Sequence, residues 1–153
     1  EQSGAVLFMS SVMGFLGSAR LPDYCSSKWA LLGLTESLRL ELRARGLKGV
    51  GVSAVCPYLV DTGLFHGAFV AADRKTTFRR LLAYLRSLVF PVLHADDVAQ
   101  ALTDALDAGR WHELPPQIVL PSYAAWLTPV LRSLPHSLQY LILDWGGGCF
   151  GMD

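Results

Sequence analysis

The stretch AVLFMSSVMGFLGSARLPDYCSSK, residues 5–28, decides how this chain is read. It opens on a nearly continuous apolar run, residues 5–10, which suits a strand buried on both faces of a parallel sheet. Gly14, Gly17 and Pro22 then punctuate a loop. From about Tyr24 to Arg45 the period changes: Leu31, Leu34, Leu38 and Leu42 recur at three- and four-residue steps, one apolar stripe of a helix. Glu41 and Arg45 are spaced as an exposed i,i+4 pair, and Gly46 is the natural stop. A second apolar run, GVGVSAVCP at residues 49–57, ends at a proline that cannot donate to a ladder. Strand, helix and strand in that order predict a β-α-β unit with parallel strands and a right-handed crossover. The fold class is therefore α/β.

Farther along, Asp96 and Asp97 place carboxylates where the positive end of another helix would be. Val98, Leu102 and Ala105 give it a stripe, and Gly109 closes it. PQIVLP, residues 116–121, reads as a short third strand between prolines. Residues 58–93 are irregular apart from an amphipathic centre, FRRLLAYLRSLVF at 78–90. That segment suits either a flap over an apolar pocket or a helix lying on an anionic lipid surface. After residue 122 the chain is apolar but interrupted by Pro129 and Pro135. The expected division is a unit over 1–122 and an apolar extension over 123–153. No repeat or low-complexity tract is present.

The bulk properties remove several functions. The 153 residues are one domain's worth, and the chain is 52% apolar and 17% charged. That is rich in apolar residues for a soluble domain, so a partner subunit, more of its own fold or a membrane surface is expected to cover it. Thirteen basic and thirteen acidic residues cancel, and no aromatic platform is interleaved with basic residues, which argues against nucleic acid. Cys25, Cys56 and Cys149 are scattered and odd in number, so a disulfide framework or zinc ribbon is not expected. His66, His94, His112 and His136 lack metal-ligand spacing. No G-x-S-x-G elbow surrounds a serine, which removes a serine hydrolase. GLKGVG, residues 46–51, lies between helix and strand, the reverse of the order a phosphate-cradling loop needs.

The chemistry concentrates at residues 10–28. Tyr24 and Lys28 stand one helical turn apart and share a face. Ser11 ends a buried strand, where open α/β sheets place their ligand chemistry. A free phenol has a pKa of about 10, too high for a base near neutrality. An ammonium nearby favours the phenolate, and a serine hydroxyl can hold the oxygen on which charge develops. Such a trio moves a proton but has no electron sink, so hydride transfer would need a cofactor. Ser10 is one residue too far from Tyr24 for that pattern and reads as structural. Ser26 and Ser27 suit local backbone bonding in the first helical turn, and Cys25 suits packing.

Ser11, Tyr24-Cys-Ser-Ser-Lys28 and VCPYLVDT at residues 55–62 together resemble the catalytic half of a short-chain dehydrogenase/reductase, over roughly residues 4–120. The resemblance implies the last three strands, with flanking helices, of a Rossmann-like doubly wound parallel sheet. The N-terminal half, with its glycine-rich turn, would lie before residue 1, leaving residues 5–10 as an unpaired apolar edge. On this expectation the chain is a fragment or truncated isoform that binds no dinucleotide alone. Tyr24 would be the general acid/base. Lys28 would lower its pKa and bind the nicotinamide ribose, and Ser11 would orient the substrate oxygen. Pro57, Val60 and Thr62 would line the nicotinamide carboxamide. The family usually has glycine where this chain has Tyr58, whose ring would narrow the nicotinamide pocket or turn toward substrate.

The tail, LILDWGGGCFGMD, is similar to the branch of membrane-associated retinol and 17β-hydroxysteroid dehydrogenases. The implied activity is interconversion of a lipophilic alcohol and its carbonyl with NAD or NADP, on a retinoid- or steroid-like substrate. A homodimer through the helix of residues 24–45 and association with the endoplasmic reticulum membrane are implied, a cytoplasmic location being the alternative. The rival reading is a truncated, non-catalytic protein that pairs through that helix.

Overall fold

The computed structural model describes residues 3–19, 21–62, 92–107 and 113–146. Strands β1 (Gly4–Met9), β2 (Val50–Pro57) and β5 (Gln117–Leu120) form one sheet in the order β1-β2-β5, with both pairings parallel. Helix α1 (Pro22–Ala44) makes the crossover from β1 to β2. Two-residue strands β3 (Leu59–Val60) and β4 (Val92–Leu93) form a small parallel pair. Helices α2 (Ala95–Asp107), α3 (Ala124–Ser133) and α4 (His136–Gly146) complete the described elements. Residues 78–90, whose amphipathic pattern suggests a flap or a lipid-facing helix, lie outside the described residues.

The central strand shows why its sequence is apolar without alternation. Gly51 through Pro57 are all buried, because β2 has a neighbour on each edge and cover on each face. The expectation of a strand buried on both faces fails for β1. Its residues are half-buried or exposed, and among the described residues it pairs only with β2. Val6 and Met9 are 39% and 47% exposed. The apolar edge implied by the family resemblance is thus present.

Helix α1 begins two residues earlier than its apolar period suggests, at Pro22, whose fixed φ suits a first turn where no N–H partner is needed. It ends in a Schellman motif. Gly46 adopts a positive φ of 73°, its N–H donates to Arg43 O, and Leu47 N–H donates to Leu42 O at 3.0 Å. The glycine read as a stop is the left-handed residue that closes the helix. The expected leucine stripe needs correction. Leu31, Leu38 and Leu42 are half-buried and only Leu34 of the stripe is exposed, whereas Cys25 and Thr35 are buried and Leu32 packs on the core. At 100° per residue the inward line is rotated roughly 100° from the leucine line. The reason is close approach: a Cβ built on Gly14 would lie 3.0 Å from both Leu32 Cδ1 and Lys28 O. Glycine at position 14 leaves room for Leu32 and the Lys28 carbonyl to approach the turn.

The core cluster of Val12, Ala54, Cys56, Val119 and Ala124 sits near the C-terminal ends of β2 and β5, with Phe15, Leu16, Leu32 and Tyr58 packed against it. Ala124 belongs to α3, so the expected boundary after residue 122 falls directly before a helix whose Ala124, Thr128 and Leu131 are buried.

Candidate active site

The end of β1 is where the sequence changes from apolar to hydroxyl-bearing, and there the site forms. Ser10 N–H donates to Val55 O at 2.8 Å, continuing the ladder one residue past the strand. Ser11 then caps a single 3-10 turn, Val12–Gly14, its Oγ accepting from Met13 N–H at 3.2 Å. The same hydroxyl donates to Pro57 O at 3.4 Å, tying the end of β1 to the end of β2. Ser11 is buried, 5% exposed. The turn leads the chain into α1, where Lys28 returns to the end of β1 and meets Met9 O and Ser10 Oγ.

Tyr24 and Lys28 do share one environment. The Lys28 ammonium lies 5.4 Å from the centroid of the Tyr24 ring, and donates to Met9 O at 2.9 Å. A cation over a phenol face at that distance is attracted by the ring's quadrupole. Of the two neighbouring serines, Ser26 donates to Pro22 O and Ser27 to Tyr24 O at 2.7 Å. Both hydroxyls bond the local backbone, as their place in the first turn predicts.

The expected cofactor-side residues divide. Pro57 is buried and joined to Ser11 through its carbonyl. Val60 lies one step on, in β3, and Thr62 N–H donates to Val60 O at 2.9 Å. Asp61 N–H donates to Leu93 O, so β3 and its exit are pinned to β4 and leave the strand end in a fixed direction. Tyr58 is half-buried. Its N–H donates to Leu120 O at 2.7 Å, and its ring packs against the core cluster. A large apolar ring next to the buried ends of β2 and β5 gains more from burial than from standing in an open crevice.

A cleft of about 390 Å³ opens between residues 15–19, Trp29 of α1 and the tail helices. Phe15, Leu16, Trp29, Tyr140 and Leu143 supply apolar and aromatic walls, and Arg132 a cation. Arg132 stacks 4.3 Å from the Trp29 ring centroid and donates to Phe15 O at 3.0 Å. Sequence pattern gave no warning of this contact across 117 positions; only the packing of α3 produces it.

Three partners of the site also escaped the sequence reading: the Met9 carbonyl, the Ser10 hydroxyl and the absent Cβ of Gly14. The doubled serine, with a glycine four residues after Ser10, is the signal that marks them. Cys56, behind the site, is driven the other way from a reactive thiol. Burial pushes its pKa from 9.0 to about 12, only partly opposed by a hydrogen bond with Ser10.

Residues 1–71 match the family model described as short chain dehydrogenase. Over 70 residues the chain is 44% identical to retinol dehydrogenase 10 of Xenopus tropicalis, and equally to that of Homo sapiens. Each alignment takes in 46% of this chain and 20% of the relative, so the chain spans about a fifth of the length of the curated relatives it matches. Among solved structures, a short-chain dehydrogenase/reductase from Burkholderia phymatum in complex with NAD superposes with a TM-score of 0.60 at 28% identity. That match covers 90% of this chain and 50% of the other. A short chain dehydrogenase from Burkholderia cenocepacia in complex with NADP gives the same TM-score at 19% identity, covering 92% and 48%, and speaks for the fold alone.

Proposed function

Because the chain belongs to the short-chain dehydrogenase/reductase family, we propose that its protein is an NAD- or NADP-dependent oxidoreductase in which Tyr24 moves the proton. The observation that carries this reading is the Lys28 ammonium, 5.4 Å from the Tyr24 ring and anchored on Met9 O at the end of a parallel strand. In the oxidation direction the Tyr24 phenolate accepts the hydroxyl proton of a bound alcohol, and in reduction the phenol returns it. Ser11 holds the reacting oxygen, for which its hydroxyl must exchange Pro57 O for substrate. Lys28 supplies fixed positive charge beside the phenol.

The residues present fit one end of a nicotinamide dinucleotide. An ammonium has three N–H donors, and the one on Met9 O leaves others for a ribose diol. Pro57, Val60 and Thr62 are the residues that would face the carboxamide. The glycines at 46–51 belong to the Schellman turn and the start of β2, at the opposite end of that strand from Pro57, so they do not cradle its phosphates. When bound, the nicotinamide supplies the hydride acceptor or donor that side chains lack.

A lipophilic alcohol is the substrate class, supported by the aromatic cleft beside residues 15–19 and by the similarity to retinol dehydrogenase 10; retinoids come first and steroids second. Two surfaces extend the proposal. Leu34 and Leu40 on the outward side of α1 favour a homodimer, and Trp126 at 80% exposure in the tail favours a membrane surface such as the endoplasmic reticulum. No described helix is long and apolar enough to cross a membrane.

The test is Tyr24→Phe in the full-length protein, assayed with NAD, NADP and retinol. Turnover is expected to fall by about 10²–10⁴-fold while dinucleotide binding is kept. Undiminished turnover removes Tyr24 from the reaction. A protein acting only by pairing through α1, the rival reading, is indifferent to this substitution.

A further inference from the structure

We propose that Ser10 is a positioning residue for Lys28, acting through a bracket that holds the lysine at both ends; this rests on the reading of Tyr24 and Lys28 as the proton-transfer pair. Consecutive residues at the end of β1 divide the work. Met9 O accepts from the Lys28 ammonium at 2.9 Å, and Ser10 Oγ donates to the Lys28 backbone carbonyl at 3.0 Å. The tip and the root of one side chain are thus fixed to two neighbouring atoms of the same strand end.

Ser10 is itself immobile. It is 2% exposed, its N–H is in the ladder with Val55 O, and its hydroxyl donates to Lys28 O. Three elements therefore meet at one residue: the end of β1, the end of β2 and the first turns of α1. Gly14 supplies the remaining wall. A Cβ there would stand 2.8 Å from Ser10 Oγ and 3.0 Å from Lys28 O, so glycine leaves the space in which the bracket closes.

The hydroxyl acts on position more than on stability. A carbonyl has two lone pairs, so Lys28 O, inside α1, can take its helical N–H as well as Ser10. Losing Ser10 Oγ leaves the helix formed but frees it to rotate or slide on the strand end. Lys28 and Tyr24 then move together on α1, away from Met9 O and from Ser11, whose hydroxyl points elsewhere, to Pro57 O. The two serines are therefore not redundant: Ser11 faces the strand-end crevice and Ser10 holds the helix that brings in the other two groups.

The experiment compares Ser10→Ala, Ser10→Thr and Gly14→Ala with the parent in the full-length protein. Lys28 is read without turnover, by amine acylation and peptide mass spectrometry, with exposed Lys48 as internal reference. Ser10→Ala is expected to raise Lys28 acylation severalfold at constant Lys48 acylation and nearly constant thermal midpoint. Its kcat for alcohol oxidation falls about 10–100-fold while the alcohol KM stays within about twofold, as displacement of a catalytic group predicts. Ser10→Thr, which keeps the hydroxyl, restores both readouts toward the parent, and Gly14→Ala, whose methyl strikes that hydroxyl, reproduces the loss. Parent-like Lys28 acylation in Ser10→Ala overturns the proposal. If Ser10→Ala does not fold, parent-like acylation in Gly14→Ala overturns it instead. Full activity in Tyr24→Phe sinks the dehydrogenase reading separately, since the acylation readout does not depend on it.

Discussion

At the scale of single residues, the fold sorts groups of similar chemistry into opposite states. Cys56 is wholly buried and its thiol is raised to about 12, whereas an unfolded thiol titrates at 9.0. Near pH 8 only about one part in 10⁴ of it is thiolate, and the thiolate is the nucleophile. Iodoacetamide is therefore expected to leave Cys56 unmodified in the folded protein and to alkylate it after denaturation, as peptide mass spectrometry will read. The same shift sets a pH dependence. Between 9.0 and about 12 the unfolded thiol has lost its proton while the folded one keeps it, so the unfolded state binds fewer protons. This group's contribution to stability is complete below pH 9 and declines as pH rises through that window. Denaturant midpoints taken above pH 9 should fall more steeply for the parent than for Cys56→Ala.

At the scale of elements, one long side chain joins the leucines in holding α1 to the sheet. Arg39 Nη1 donates to Val52 O and to Leu114 O, the latter at 3.0 Å, so one guanidinium ties the helix to β2 and to the chain entering β5. Nothing in the periodicity marks Arg39 for this. A charged residue in a helix pattern reads as solvent-facing, and only the close approach of α1 to the sheet turns it inward. Arg39→Met keeps the apolar stem and removes the donors, leaving two carbonyls short of a partner. It should lower unfolding free energy by about 1–3 kcal/mol in urea titration, with Arg39→Lys recovering only part because its shorter stem does not carry the ammonium to the place of Nη1. The exposed Glu41–Arg45 pair, foreseen from its spacing, carries little by comparison.

At the scale of the whole molecule, exposed apolar surface is the dominant feature of the described residues. Along β1, Val6 and Met9 stand exposed on a strand paired on one side among the described residues. In the tail, Trp126, Val130, Tyr140 and Leu141 are each more than half exposed. An apolar strand edge templates pairing with further strands, while aromatic and aliphatic residues on helices suit a lipid interface. One experiment separates the two. The 153-residue chain is expected to self-associate in sedimentation, and Val6→Lys with Met9→Lys to reduce it. Flotation with anionic liposomes should survive those changes and fall with Trp126→Ser and Leu141→Ser. Flotation lost with the strand variants instead would place the lipid contact at β1 and remove it from the tail.

The sequence by itself determined the β-α-β unit, the glycine stop at residue 46, the third strand and the pairing of Tyr24 with Lys28. These are local facts: apolar runs, a 3.6-residue period and a one-turn spacing act within a few residues of chain. Tertiary structure alone decided which face of α1 is buried, where the Tyr58 ring goes, and that α3 belongs to the core. It also decided that Lys28 is gripped by Met9 and Ser10. Those outcomes depend on how closely the helix can approach the strand ends, a distance set by the missing side chain of Gly14 and by atoms far apart in the chain. Period and spacing carry no information about that distance, and packing fixes it.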